Sequence, residues 1–348
     1  MKKFFIIMVM LLFAANTVSA TEIEYTAPEI PDAGREFLQE EPESLQSGLL
    51  MILENALPLV YPAFTEAAAI CARAVGIVIL LEMVNQFAYN CKNTVRLIGT
   101  ISLAISFLSP AKSLIPLGET TVHNLTAYGR LLLPVMTGAM AAQGQAVTSG
   151  ALYMGTAFFD AVLSTAIERL LVPAIYIYLT LSIATYALDE NAIGKMKDSV
   201  KGAMVFILKT ILYTFTGYMT VSGAVSGSTD ALAMKAAKIT ISGMVPVVGG
   251  VLSDASEAVL VSTSIMKNAA GVYGILAILA MVVGPFIRLG MQYLIMKLAA
   301  FISGSIGQKE LSNLILDFST AMGLTLSMTA AVSFMLLIST VCFMKVVI

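Results

Sequence analysis

The chain has 348 residues, of which 58% are hydrophobic and only 12% charged, with a formal net charge of −2 and three cysteines. Charged residues stand at about half the roughly 25% usual in soluble globular domains, which excludes a water-soluble enzyme and leaves a polytopic membrane protein. The charge balance is too even to suggest nucleic acid as a partner.

Residues 1–20 read as a secretory leader: Lys2 and Lys3, an apolar run from Phe4 to Ala15, then Val18-Ser19-Ala20 as a small-x-small cleavage site. An uncleaved first anchor is the alternative, and either way Thr21 emerges outside the cytoplasm. Nine of the 22 acidic residues lie between Glu22 and Glu54, against the single base Arg35. With Pro28, Pro31 and Pro42, the segment 21–46 is expected to be an exported, acidic and disordered stretch. Residues 47–66 turn amphipathic and meet Pro58 and Pro62, which suggests a helix lying in the interface. A polytopic domain then fills 67–348.

A crossing helix needs about 20 apolar residues. Stretches 67–88, 97–116, 170–188, 202–223, 269–290 and 318–344 qualify. Lys92 and Arg96, then Lys195, Lys197 and Lys201, then Arg288, Lys297 and Lys309 place three connections on the cytoplasmic side. That parity requires 125–167 to be either a re-entrant hairpin or two full crossings, and 238–264 to be re-entrant or interfacial. The fold class expected is all-α, with six to eight transmembrane helices and Pro/Gly-broken or re-entrant segments.

A broken-helix string, LLPVMTG at Leu132–Gly138, recurs as MVPVVGG at Met244–Gly250. At an offset of 112 residues Pro134 falls on Pro246, Gly138 on Gly250 and Pro173 on Pro285. The pattern suggests a parallel internal repeat, 126–226 and 238–340. Proline and glycine at membrane depth free backbone groups that only protein or a water-filled cavity can cover. Pro134, Gly138, Pro173, Pro246, Gly249, Gly250 and Pro285 are therefore candidate conduit positions, together with the nearby charges Asp254, Glu257 and Arg288. Glu66, Arg73, Glu82, Asp160, Glu168 and Arg169 are further ionisable residues in or near apolar stretches. They either line a polar path or snorkel and pair between helices.

Catalysis finds no support. His123 is the only histidine, no GxSxG, HExxH or Walker A string occurs, and Cys71, Cys91 and Cys342 have no metal spacing. No cofactor is expected. The 21 methionines are scattered through the spans as packing residues.

The loop string LLEMVNQFAYNCKNTVRLIG, the doubled Pro-Gly segments and above all ISGMVPVVGGVLSDASEAVLVSTSIMKNAAGVYG resemble the stage III sporulation protein AE family of endospore-forming bacteria. The likeness runs over nearly the whole chain after the leader. It implies a permease-like component of the stage III A channel or secretion complex, in the mother-cell-derived outer forespore membrane. It also implies partners: a separate ATPase, ring-forming components and a forespore-side protein, with membrane lipid around them and no nucleic acid. No catalytic residue follows from it. Two other functions remain open at this stage: a stand-alone ion-coupled transporter using Asp254 and Glu257, and a structural anchor for ring-forming partners.

Overall fold

Peptide groups at membrane depth have no water to bond, so an apolar chain of this length is driven into helices that satisfy their own backbone. The structure, a computed structural model, describes residues 28–38, 44–87, 92–188, 190–244 and 249–345, with backbone alone at 92, 223–244, 249–269 and 345. The leader, residues 21–27 and Pro246 lie outside the described residues, as do the side chains of Gly249, Gly250, Asp254 and Glu257.

Among the described residues there are helices and no strand. The short α1 (Asp32–Arg35) precedes α2 (Leu45–Phe87) and α3 (Lys92–Ala142). Next come α4 (Ala146–Ala166), a π turn (Ile167–Leu171) and α5 (Val172–Leu188), which run on as one rod. Helices α6 (Asn191–Met244), α7 (Gly249–Ser305) and α8 (Lys309–Lys345) complete the chain. Six helical segments are long and apolar enough to cross a membrane, at the lower bound of the expected range.

Their length exceeds what crossing needs. Helix α3 has 51 residues, or about 75 Å at 1.5 Å per residue, against a hydrocarbon core of roughly 30 Å. The bundle therefore extends well beyond the lipid tails.

Three expectations change. The interfacial helix 47–66 is not a separate element, because α2 runs unbroken through Pro58 and Pro62. Both prolines face outward, and the helix is held instead by a buried stripe on its other side: Gly48, Ile52, Ala56, Ala63, Ala67, Ile70, Ala74 and Val78. These mostly small residues let α2 lie close to α7. Residues 125–167 are the facing ends of α3 and α4, joined by a tight turn at Gln143–Gln145 in which Gly144 takes φ 82°. That turn makes two long rods and no re-entrant loop, and the parity read from the basic loops is kept. The Pro134–Gly138 interruption is absent, since α3 continues through both residues to Ala142. The 112-residue offset would carry the 143–145 turn onto residues 255–257, which are helical in α7. Turn does not fall on turn.

The exported segment is also partly ordered. Ile30, Phe37 and Leu38 are buried, and residues 28–38 form a strap across α7 in which the Phe37 ring fills the notch left by Gly284. Asn55 Nδ2 donates to the Phe37 carbonyl at 3.2 Å, tying the strap to α2. Pro285 removes the amide that would bond the Met281 carbonyl four residues back, and the strap packs on that same turn.

Helices α7 and α8 are the most buried of the spans. Helix α3 buries Leu103, Phe107, Ala111, Ile115, Val122 and Leu125 in the bundle, and where it meets α8 the Phe107 and Phe318 rings lie 5.1 Å apart. Glycine sets this distance: a methyl on Gly118 would strike Thr325, and one on Gly129 would come within 2.7 Å of Leu336. The variant Gly118→Val should cost about 1–3 kcal/mol by overpacking. Gly138→Ala, where an added methyl meets nothing within 4 Å, should leave stability equal or slightly raised. Thermal unfolding of the purified protein in detergent checks both.

Candidate functional site

Ionisable groups in an apolar bundle are the natural place to look for chemistry. At one end of the bundle, the turns after α2, α5 and α7 come together. Gln308 bonds Glu82 there, and Arg96 stands 3.6 Å from Glu310. Lys195, Lys201, Lys297 and Lys309 are exposed near the same turns.

Inside that end lies a buried polar knot. Lys197 Nζ donates to Asp317 Oδ2 at 2.7 Å, the Tyr178 hydroxyl to Asp317 Oδ1 at 2.8 Å, and the Tyr186 hydroxyl to Oδ2 at 3.1 Å. The Lys197 and Asp317 side chains are 9% and 12% exposed, so the pair is cut off from bulk water. One carboxylate thus gathers α5, α6 and α8. A buried pair adds little net stability, but it fixes which surfaces meet, because leaving either charge alone is costly. The sequence reading assigned Lys197 only to a basic loop and passed over Asp317. A lone carboxylate inside the apolar run of α8 was the available signal.

Midway along the bundle a second polar zone joins α3 to the α4–α5 rod. Pro173 cannot donate to the Arg169 carbonyl, and the chain absorbs this with the π turn, in which the Val172 amide reaches five residues back to Ile167. The turn leaves Glu168 and Arg169 exposed, and His123 on α3 stands 3.9 Å from the Glu168 carboxylate in a contact on the outer surface of the bundle.

One face of α4 below that contact is polar and buried: Thr156, Asp160 and Ser164, at helical spacing of four. Thr156 and Ser339 of α8 share a hydrogen bond at 2.9 Å, and Thr121 and Thr126 of α3 are also buried. Most of these hydroxyls bond a carbonyl of their own helix, as Thr121 does to Leu117 and Ser164 to Ala161. Asp160 does not fit this pattern. It is 4% exposed, with the Thr126 hydroxyl as its side-chain hydrogen-bonding neighbour and the Arg130 charge close by. Among the described residues, no three His, Cys, Asp or Glu side chains converge on a metal-sized site.

The expected conduit residues do not assemble into one site among the described side chains. Pro134 and Gly138 face outward from α3, Pro173 follows the π turn, Pro285 lies under the strap, and Arg288 is exposed on α7. Asp160, named only as a further ionisable residue, holds the more enclosed position.

Residues 40–346 match the family model described as stage III sporulation protein AE, which takes in every membrane-length helix of the bundle. The chain belongs to the stage III sporulation protein AE family. It is 24% identical over 186 residues to the stage III sporulation protein AE of Bacillus subtilis (strain 168). That alignment covers 53% of this chain and 47% of the relative, so it spans about half the length of the relative it matches. No solved structure matches the chain. The family is one of sporulation proteins, and its fold is described here from the bundle itself.

The polar knot yields a direct test. Asp317→Ala should destabilise the bundle by about 3–5 kcal/mol, because Lys197 stays buried and unpaired. The double change Lys197→Met with Asp317→Leu should recover most of that loss. Equal unfolding temperatures for the single and double variants would show that the charge pair does not set the packing.

Proposed function

We propose that this protein is the membrane-embedded, permease-like part of a multiprotein conduit between mother cell and forespore. The observation that carries this reading is the family match over 40–346, which covers the whole membrane bundle. A buried polar face between α3, α4 and α8, with the Asp160 carboxylate in it, supports this reading.

The conduit sits in the mother-cell-derived outer forespore membrane. Its basic end faces the mother-cell cytoplasm, as the concentration of lysines at the three short turns favours. The opposite end and the N-terminal strap then face the space between the two membranes. The length of the rods beyond the lipid tails provides protein surface there for ring-forming components and a forespore-side protein. The sequence carries no Walker A string, so energy comes from a separate ATPase docked at the basic end.

Deleting the gene in its own host should leave engulfment intact and stop late forespore gene expression, read by a forespore reporter under the microscope. Normal spores from the deletion strain would refute the assignment.

A further inference from the structure

We propose that the groove between α7 and α8 at the basic end of the bundle binds an anionic phospholipid, its phosphate held by Lys297 and Lys309 and an acyl chain laid along α7. The proposal rests on the bundle lying in a membrane and is independent of the part it plays in sporulation.

A cavity of about 440 Å³ opens on the outside of the bundle between the two helices, lined by Lys297, Ala300, Phe301 and Gly304 of α7 and by Ser312 and Leu316 of α8. That volume lies within the roughly 300–1,000 Å³ of small-ligand sites. The hydroxyls at the groove are already used. Ser312 Oγ donates to the Ala300 carbonyl and Ser305 Oγ to the Phe301 carbonyl, so the lining is apolar apart from the Lys297 cation. An apolar floor with a cation beside it matches a ligand with a hydrocarbon tail and an anionic head.

A second cation stands at the other end of the groove. Lys309, Ser312 and Leu316 are spaced three and four apart and share one face of α8, which puts Lys309 on the groove side next to the turn. Lys297 and Lys309 are both exposed. Among the described residues neither meets a carboxylate, because the acids nearby are held elsewhere: Glu310 by Arg96, Glu82 by Gln308 and Asp317 by Lys197. Lys297 Nζ lies 4.6 Å above the Tyr293 ring, a contact that leaves N–H donors for a phosphate. Each ammonium sits on a flexible four-carbon stem, so the two can close on one anion.

The tail has a track of its own. Phe301, Leu298 and Leu294 follow one another at helical spacing along α7, away from the turn, and are 74%, 56% and 61% exposed. A free phosphate has no use for this row, whereas a phospholipid covers it. Basic pockets between membrane helices on the cytoplasmic side are where anionic headgroups lodge. The other groove on the surface, between α6 and α8 at Tyr213, Gly217 and Phe334, has no charged residue in its lining. It offers a tail a place and a headgroup none.

The test titrates the purified full chain in detergent with phosphatidylglycerol, or with phosphatidylcholine of the same acyl chains, and counts bound lipid by native mass spectrometry. One phosphatidylglycerol should bind in preference to phosphatidylcholine. Lys297→Gln with Lys309→Gln should weaken it about thirtyfold, from about fivefold for each lysine. Lys195→Gln with Lys201→Gln removes the same charge from the same end outside the groove, and should leave binding within about twofold of wild type if the site is local. Ser305→Trp, which fills the groove and keeps both lysines, should abolish the preference. Equal binding of the two lipids, equal loss in the two lysine pairs, or displacement of the lipid by glycerol 3-phosphate, which carries the headgroup chemistry without a tail, overturns the proposal. A failed lipid titration leaves the sporulation role standing, and a deletion strain that sporulates normally leaves the lipid result untouched.

Discussion

Every peptide group within the hydrocarbon must find its hydrogen bond inside the protein. That constraint explains why seven prolines, at 58, 62, 110, 116, 134, 173 and 285, leave the helices running through them. A proline in a soluble helix frees one carbonyl that water can take up, so ending the helix there costs little. In lipid a broken helix would expose several groups at once, and keeping the rod while covering one carbonyl is the cheaper arrangement. The coverings differ from site to site. Pro173 follows a π turn that shifts the pairing. The turn before Pro285 is overlaid by the strap, with Phe37 set against Gly284.

Once the rods are continuous, their sides decide how they pack. Helices in lipid have no hydrophobic drive to associate, so close fit and internal polar bonds take that role. Small residues on α2 allow contact with α7, and glycines on α3 receive side chains of α8. The Asp317 carboxylate then selects one alignment of α5, α6 and α8 from the many that apolar surfaces would tolerate. Its three donors come from residues 120 or more positions away in the chain. The bundle's polar groups thus divide into two kinds. Those at the knot hold helices in register through one shared carboxylate, while Asp160 sits enclosed beside Thr126 and Arg130 on a polar face between α3 and α4.

Much of this architecture was legible beforehand. The membrane class follows from composition because nothing else tolerates so few charges. The pairing of ends follows from basic residues at short loops, since Arg96, Lys195 with Lys201, and Lys297 with Lys309 lie near where three turns meet. The family likeness was visible in the Ser242–Gly274 string and in the loop after α2. The breaks were misread at Pro134–Gly138, because local propensity treats proline and glycine as terminators and takes no account of the missing water. The strap was misread for a related reason: an acidic, proline-bearing segment reads as solvated until a notch such as Gly284 is there to receive the ring of Phe37.

The amino-acid sequence by itself determined that the chain enters a membrane, that it does so as helices, and which ends share a side. Each of these depends on totals or on short-range order: apolar length, charge at loops, spacing along one helix. Only the tertiary structure decided which polar residues matter, because that depends on what stands opposite. Asp317 and Asp160 are both single carboxylates in apolar runs, alike when read along the chain. In the bundle one meets a lysine and two tyrosines at hydrogen-bond distance, while the other faces a threonine hydroxyl and an arginine. The energy of a buried charge is set by its partners across helices, and one-dimensional spacing carries no record of them.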